Sequence, residues 1–266
     1  MVSFSIASTG QQTQSEQAGS DVRGLAIALT STAISEVTAA IMQTITVMVT
    51  LVRKGKNHTV MQGNLFALGI GNNIASFEGQ TIGSYRSFVL DWGEIINLRG
   101  DDLLKIQVIV ASAAAGQVLT CTTVNGVGTG DFIPKVTVDT INTTQGTQTI
   151  TGGNNVSAIS VVSDTTSFDI NSITISSQSG YSQQFTTPDF YALMAEQSDV
   201  TPPYYAFMVN LGSPVQGVTV YTSNVASSAN TYVVVFGGVI DETTTKQSIV
   251  ETQAAISNAV AAAKPV

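Results

Sequence analysis

Tyr85-Arg86-Ser87-Phe88-Val89-Leu90-Asp91-Trp92-Gly93 has a near-copy later in the chain, Tyr204-Tyr205-Ala206-Phe207-Met208-Val209-Asn210-Leu211-Gly212. Tyr, Phe and Gly hold the same three places, and the residues between them agree in size and polarity. Two shorter matches precede this pair: Val49-Thr50-Leu51 with Ile173-Thr174-Ile175, and Phe66-Ala67-Leu68 with Tyr191-Ala192-Leu193. All three occur in the same order at offsets of roughly 119–125 residues. A period above about 100 residues is too long for a solenoid repeat and implies a duplicated domain.

Outward from these matches, apolar residues recur every second position, the period of a half-buried strand. Ile45, Val47, Val49 and Leu51 alternate with Thr44, Thr46, Met48 and Thr50. That alternation makes the apolar stretch 37–52 a strand; a membrane-spanning helix needs about 20 apolar residues. Leu104, Ile106, Val108 and Val110 alternate in the same way, as do Leu119 and Cys121. Further runs follow at Ile133, Val136 and Val138, at Ile159 and Val161, at Val218 and Val220, and from Thr231 to Val235. Turn residues separate them, including Asn125-Gly126, Ser179-Gly180 and Gly237-Gly238. Many short strands at this spacing indicate a β-sandwich or barrel.

Helical signals interrupt the pattern. Thr187-Pro188-Asp189 is a helix start, with Thr as cap, Pro in the first turn and an acid near the positive end. Gly69-Ile70-Gly71-Asn72-Asn73 reads as a helix end and turn. A C-terminal helix with Ile249, Gln253, Ile256 and Val260 on one stripe is expected after Asp241. The domain reading is an N-terminal arm over 1–24, a first unit over 25–138, a second over 139–240, and a helical tail over 241–266.

Only 11% of residues are charged, against about 25% in ordinary globular proteins. Such a polar but weakly charged surface suits subunits that pack against copies of themselves. The net charge is −8 and the ten basic residues are scattered, so no direct nucleic-acid contact is expected. A single cysteine, Cys121, forms no intrachain disulfide, and the first residues lack the pattern of a signal peptide, so synthesis in a host cytoplasm is expected.

Each half has the size of an eight-stranded jelly roll, which folds two sheets face to face. The fold expected is therefore all-β: two tandem eight-stranded jelly rolls with short inserted helices and a C-terminal helix. In its tandem halves, short helix within each half, polar N-terminal arm and helical tail, residues 25–240 and their flanks resemble the double jelly-roll major capsid proteins of small lipid-containing icosahedral bacteriophages. The resemblance implies a homotrimer forming a pseudo-hexameric capsomer, an icosahedral virion shell, an internal membrane, and penton and minor capsid proteins as further partners. The short connections of this chain depart from the larger members and imply no tall outward towers.

No candidate reads as a catalytic centre, and neither enzyme activity nor a cofactor or metal is expected. Asn125-Gly126-Val127-Gly128-Thr129-Gly130-Asp131 is glycine-rich, but Phe132-Ile133-Pro134-Lys135-Val136 follows as a strand instead of the helix a phosphate loop requires. His58, the one histidine, lies in the basic turn Arg53-Lys54-Gly55-Lys56-Asn57-His58. Arg53, Lys54, Lys56 and His58 form the densest basic group, a candidate membrane-facing patch worth about 1 kcal/mol per basic residue near anionic lipid. Cys121 reads as a buried small hydrophobe. Glu94, Asp101 and Asp102 around Arg99 read as solvated turn acids with no known Ca²⁺-loop spacing. Trp92 reads as core by default and as a subunit contact if it faces outward. A carbohydrate-binding or adhesin-like β-sandwich of a phage fibre or surface protein is the alternative function, and a hydrolase on the same scaffold ranks last.

Overall fold

A computed structural model describes residues 1–16, 21–31, 39–72, 81–82, 85–98, 100–113, 117–127, 132–141, 146–153, 155–164, 170–197, 206–224 and 230–240. The helix expected after Asp241, together with Tyr204, Tyr205 and Arg99, lies outside them.

The first part of the chain supplies β1 (Val2–Ser5), β2 (Gly10–Glu16), β3 (Val22–Ser31), α1 (Ala39–Gln43), β4 (Ile45–Arg53), β5 (Lys56–Asn64), α2 (Leu65–Asn72), β6 (Thr81–Ile82), β7 (Tyr85–Ile96), β8 (Leu103–Val110) and β9 (Gln117–Asn125). The second supplies β10 (Phe132–Thr140), β11 (Thr147–Gly153), β12 (Val156–Ser163), β13 (Ile170–Ser176), β14 (Ser182–Thr186), α3 (Thr187–Gln197), β15 (Ala206–Val215), β16 (Val218–Asn224) and β17 (Thr231–Ile240).

Strand order shows the duplication directly. In the first part, β1-β9-β3-β7 form one sheet, with β6 on its edge, and β2-β8-β4-β5 run consecutively in another. In the second part, β10-β17-β12-β15 and β11-β16-β13-β14 repeat these two orders strand for strand. Each set is an eight-stranded jelly roll. α2 follows β5 as α3 follows β14, so the inserted helix recurs at one topological place. A single parallel pair, Val136↔Met61 and Thr137↔Gln62, joins β10 to β5 and merges two of the sheets into one of eight strands.

This topology moves two boundaries. Residues 1–24, expected as an arm without its own core, contain the first two strands of the first roll. β1 pairs with β9 and β2 with β8, and Phe4 and Ile6 are buried in the core. The polar run Gln11–Gln14 misled because β2 is an edge strand whose described side chains stay exposed or half-buried. The boundary expected at 138/139 falls inside β10, which opens the second roll; the rolls part between Asn125 and Phe132.

The repeated glycine of the two matched stretches also has a structural role. Gly93 and Gly212 adopt φ of 77° and 76°, and each sits where register slips: between Val22↔Ile96 and Gly24↔Asp91 in one roll, and between Val156↔Val215 and Ala158↔Asn210 in the other. Both are bulge glycines, placed where a residue with a Cβ is strained.

The second roll keeps its own core around Phe190, Phe207, Val233 and Val235, with the Phe190 and Phe207 rings stacked at 4.8 Å. The core of the first roll does not stop at its own sheets. It runs through α2 into Ala158, Val162, Ala206, Tyr232, Val234 and Phe236 of the second roll. The β17-β12-β15 part of this sheet is thus covered on both faces. Close approach at the joint leaves no room at Gly63, where a Cβ would come 2.3 Å from Val138 Cγ2 and 2.7 Å from Val138 Cβ. We expect Gly63→Ala to lower stability by about 1–3 kcal/mol, and Val138→Ala in the same chain to recover part of it. Urea denaturation midpoints of both variants check this; equal midpoints for the parent and Gly63→Ala would contradict it.

Candidate functional site

The joint between the rolls is the most elaborate constellation in the structure. α2 is its centre: Leu65, Phe66, Ala67, Leu68, Gly69, Ile70 and Gly71 are all buried. A helix apolar on every side has to be enclosed on every side. Phe66 meets Tyr232 edge to face at 6.1 Å between ring centroids. Gly71 brings the helix backbone down onto the sheet, with its carbonyl accepting a buried 2.9 Å hydrogen bond from Ser160 Oγ and Val234 Cγ2 only 2.9 Å from where a Cβ would stand. Asn64 caps α2 through its Oδ1, which accepts from the Ala67 amide at 2.7 Å.

Polar contacts ring this apolar seam. Gln43 of α1 donates from Nε2 to Asp164 Oδ2 at 2.8 Å, and Asp164 also accepts from the Asn230 amide and side chain at 2.9 and 2.7 Å. Beside them opens a cleft of about 600 Å³ whose lining includes Gln43, Gln62, Lys135, Asp139 and Tyr232. Burial first, and then the charge of Asp164, push the Tyr232 phenol up to about 12. Sequence reading gave Gly63, Gly71, Gln43 and Asp164 no role at the joint, because each meets a partner from the other roll there.

The basic turn divides. Lys54 and Gly55 have φ of 50° and 74°, the two positive angles of a tight two-residue hairpin between β4 and β5. Lys54 and Lys56 are exposed and His58 is half-buried. Arg53 does not join them: it is 3% exposed, and its guanidinium donates to Asp102 Oδ2 from Nε at 2.9 Å and Nη2 at 2.6 Å, and to the Asn97 carbonyl at 2.5 Å. The reason is parity. Ile45, Val47, Val49 and Leu51 face inward on β4, and Arg53 is the next member of that series. Asp102, expected as a solvated turn acid, is 5% exposed for the same pairing.

Trp92 is 1% exposed and belongs to the core of the first roll, so it offers no contact to another subunit. It shares the inward side of β7 with Leu90, and its Nε1 has no hydrogen-bond partner among the described residues. Cys121 is fully buried, as its alternation with threonines implied. The helix start at Thr187 lies one residue earlier than expected. Thr186 is the cap, and Asp189 accepts from its amide and hydroxyl at 2.7 and 2.8 Å, bonds that hold the carboxyl below its usual range.

Among the described residues, no three His, Cys, Asp or Glu side chains gather as a metal site requires, and no helix is long and apolar enough to cross a membrane. What the geometry offers is shape: extended sheet faces, a helix used as a wedge, and a small basic turn.

Two outcomes test these contacts. Removing one partner of a buried ion pair strands the other charge, so Arg53→Ala should cost about 3–5 kcal/mol, whereas Arg53→Met with Asp102→Leu should cost much less. Denaturant midpoints of both variants decide it. For Tyr232, the folded state holds the phenolic proton more tightly than the unfolded chain, whose pKa is about 10. Its contribution is therefore complete below about pH 10 and declines as pH rises toward 12. Tyr232→Phe should show a shallower loss of stability across that window, measured by thermal melts at stepped pH.

No protein-family model and no curated protein matches the chain. Solved structures do. The major capsid protein of STIV superposes with a TM-score of 0.58 and 11% identity, over 90% of this chain and 96% of that one. The atomic structure of Sulfolobus Turreted Icosahedral Virus gives 0.57 and 10%, over 90% and 88%. The major capsid protein P2 of bacteriophage PM2 gives 0.56 and 12%, over 88% and 94%. With its two complete strand sets and near-full coverage in both directions, the chain has the double jelly-roll fold of these viral capsid proteins.

Proposed function

We propose that this protein is a major capsid protein whose copies trimerise into pseudo-hexameric capsomers and build an icosahedral shell over an internal membrane. The observation that carries the reading is the joint. Two topologically identical rolls are fastened side by side through a buried helix and a shared sheet, so one chain presents two similar building units in a fixed relation. Three such chains present six, the count needed to tile a surface hexagonally. The likeness to the STIV and PM2 major capsid proteins supports the same reading.

In this reading the work of the protein is assembly rather than catalysis. Binding energy is spread over sheet and helix faces, and the low charge content lowers the desolvation cost of bringing them together. The exposed pair Lys54 and Lys56, with His58 beside them, is assigned to anionic lipid headgroups beneath the shell. Penton and minor capsid proteins would meet the edges of the capsomer, and the protein would reside in the virion.

Light scattering of the purified protein at high concentration tests the first step. The expected mass is three times the 27.7 kDa chain. A species that stays monomeric at every concentration, with no regular shells in electron micrographs of the source, would overturn the proposal.

A further inference from the structure

The two rolls are alike in topology and unlike in how their equivalent surfaces are covered. In the second roll, the outer face of β17-β12-β15 carries Ser160, Val162, Tyr232 and Val234, and α2 of the first roll lies on it. Strand register identifies the equivalent face of the first roll. Ala26 pairs with Val89 and Thr122, and Ala28 with Ser87 and Thr120, as Ser160 pairs with Met208 and Val234, and Val162 with Ala206 and Tyr232. Ser160, Val162, Tyr232 and Val234 are buried, whereas their counterparts Ala26, Ala28 and Thr120 are half-exposed and Thr122 is exposed; beside them Val89 is half-exposed and Val118 is 39% exposed. These six first-roll positions carry no charge. Solvent-facing sheet surfaces ordinarily carry polar and charged side chains.

The helices show the converse. α2 is buried on all sides, whereas α3 buries Phe190 alone and leaves Tyr191, Ala192 and Ala195 exposed, with Tyr191 at 40%. In the sequence match Tyr191 stands where Phe66 stands in α2. Phe66 is the residue that meets Tyr232, and the register makes Thr120 the first-roll counterpart of Tyr232.

We propose that α3 of one copy docks on the outer face of β9-β3-β7 of a second copy, reproducing between chains the contact that α2 makes within the chain, with Tyr191 seated against Thr120. This names the surface used in the self-assembly proposed above and rests on that reading. The contact is head to tail: each copy offers its α3 and receives another on its first roll, so repetition generates a ring when the rotation closes. The helix-on-sheet contact carries it without the strand pairing of the intrachain joint. β1 has four residues where its counterpart β10 has nine, and β10 pairs with β5 through Val136 and Thr137 only. The contact between chains is accordingly the weaker of the two, and it separates before the rolls do.

The test uses the full chain carrying Cys121→Ser, Thr120→Cys and Tyr191→Cys, treated with a short bismaleimide linker and run on a denaturing gel. Covalent multimers ending at three chains are expected. If light scattering shows the assembly but the gel shows only single chains, the docking surface is wrong and self-assembly stands. If no assembly forms even in the parent protein, the self-assembly reading falls and this one with it. Ala28→Arg and Tyr191→Arg, each tested alone, guard against a folding defect. Both should keep the parent melting temperature and raise the concentration needed for association at least tenfold. Unchanged association in both would overturn the proposal.

Discussion

In the β10-β17-β12-β15 sheet, strands β17, β12 and β15 bury apolar side chains on both faces, and one roll covers only one of them. The helix between β5 and β7 supplies the missing cover. Burying Leu65, Phe66, Leu68 and Ile70 at about 1.5–3 kcal/mol each is worth on the order of 6–12 kcal/mol as an upper estimate. That is as large as the net stability of an ordinary domain, about 5–15 kcal/mol. The two rolls are therefore not beads on a string. Neither the helix nor the sheet has a satisfactory surface without the other, and the glycines at 63 and 71 set how closely they meet.

Much of this fold was legible because strand parity is a strong signal wherever one side of a sheet faces water. The alternation from Ile45 to Leu51 reports a strand buried on one side, and the structure gives the same alternation of burial through Arg53. The repeated Tyr-Phe-Gly stretch reported a duplication, and its glycine marks a bulge present in both rolls. The signal faded where both faces are covered. β12 is buried at seven of its eight positions, so its hydrophobic residues no longer alternate, and nothing in Val156–Ser163 says which of them meets the other roll. It faded again at β2, where an edge strand is held by backbone pairing and its side chains report only solvent.

The candidate site was legible in part. Lys54, Lys56 and His58 sit in a hairpin turn at the surface. Arg53 and Asp102 show the limit of reading charge as exposure. They lie far apart in sequence, and only the pairing of β4 with β8 brings them together in a place where neither could be buried alone. Trp92 was assigned to the core by default, and the core it belongs to draws on strands from both ends of the first roll.

The strand order also has a consequence for synthesis. β1 and β2 find their partners only when β9 and β8 emerge from the ribosome, so the first barrel closes late in its own translation. When it closes, the far side of α2 is still bare, and it stays bare until β17, the last described strand, takes its place between β10 and β12. A nascent chain thus displays a greasy ridge for about half of its elongation. In a crowded polysome, neighbouring nascent chains present the same ridge to one another. Holding by a chaperone, or local synthesis slow enough to keep the chains apart, would limit that association in the cell making it.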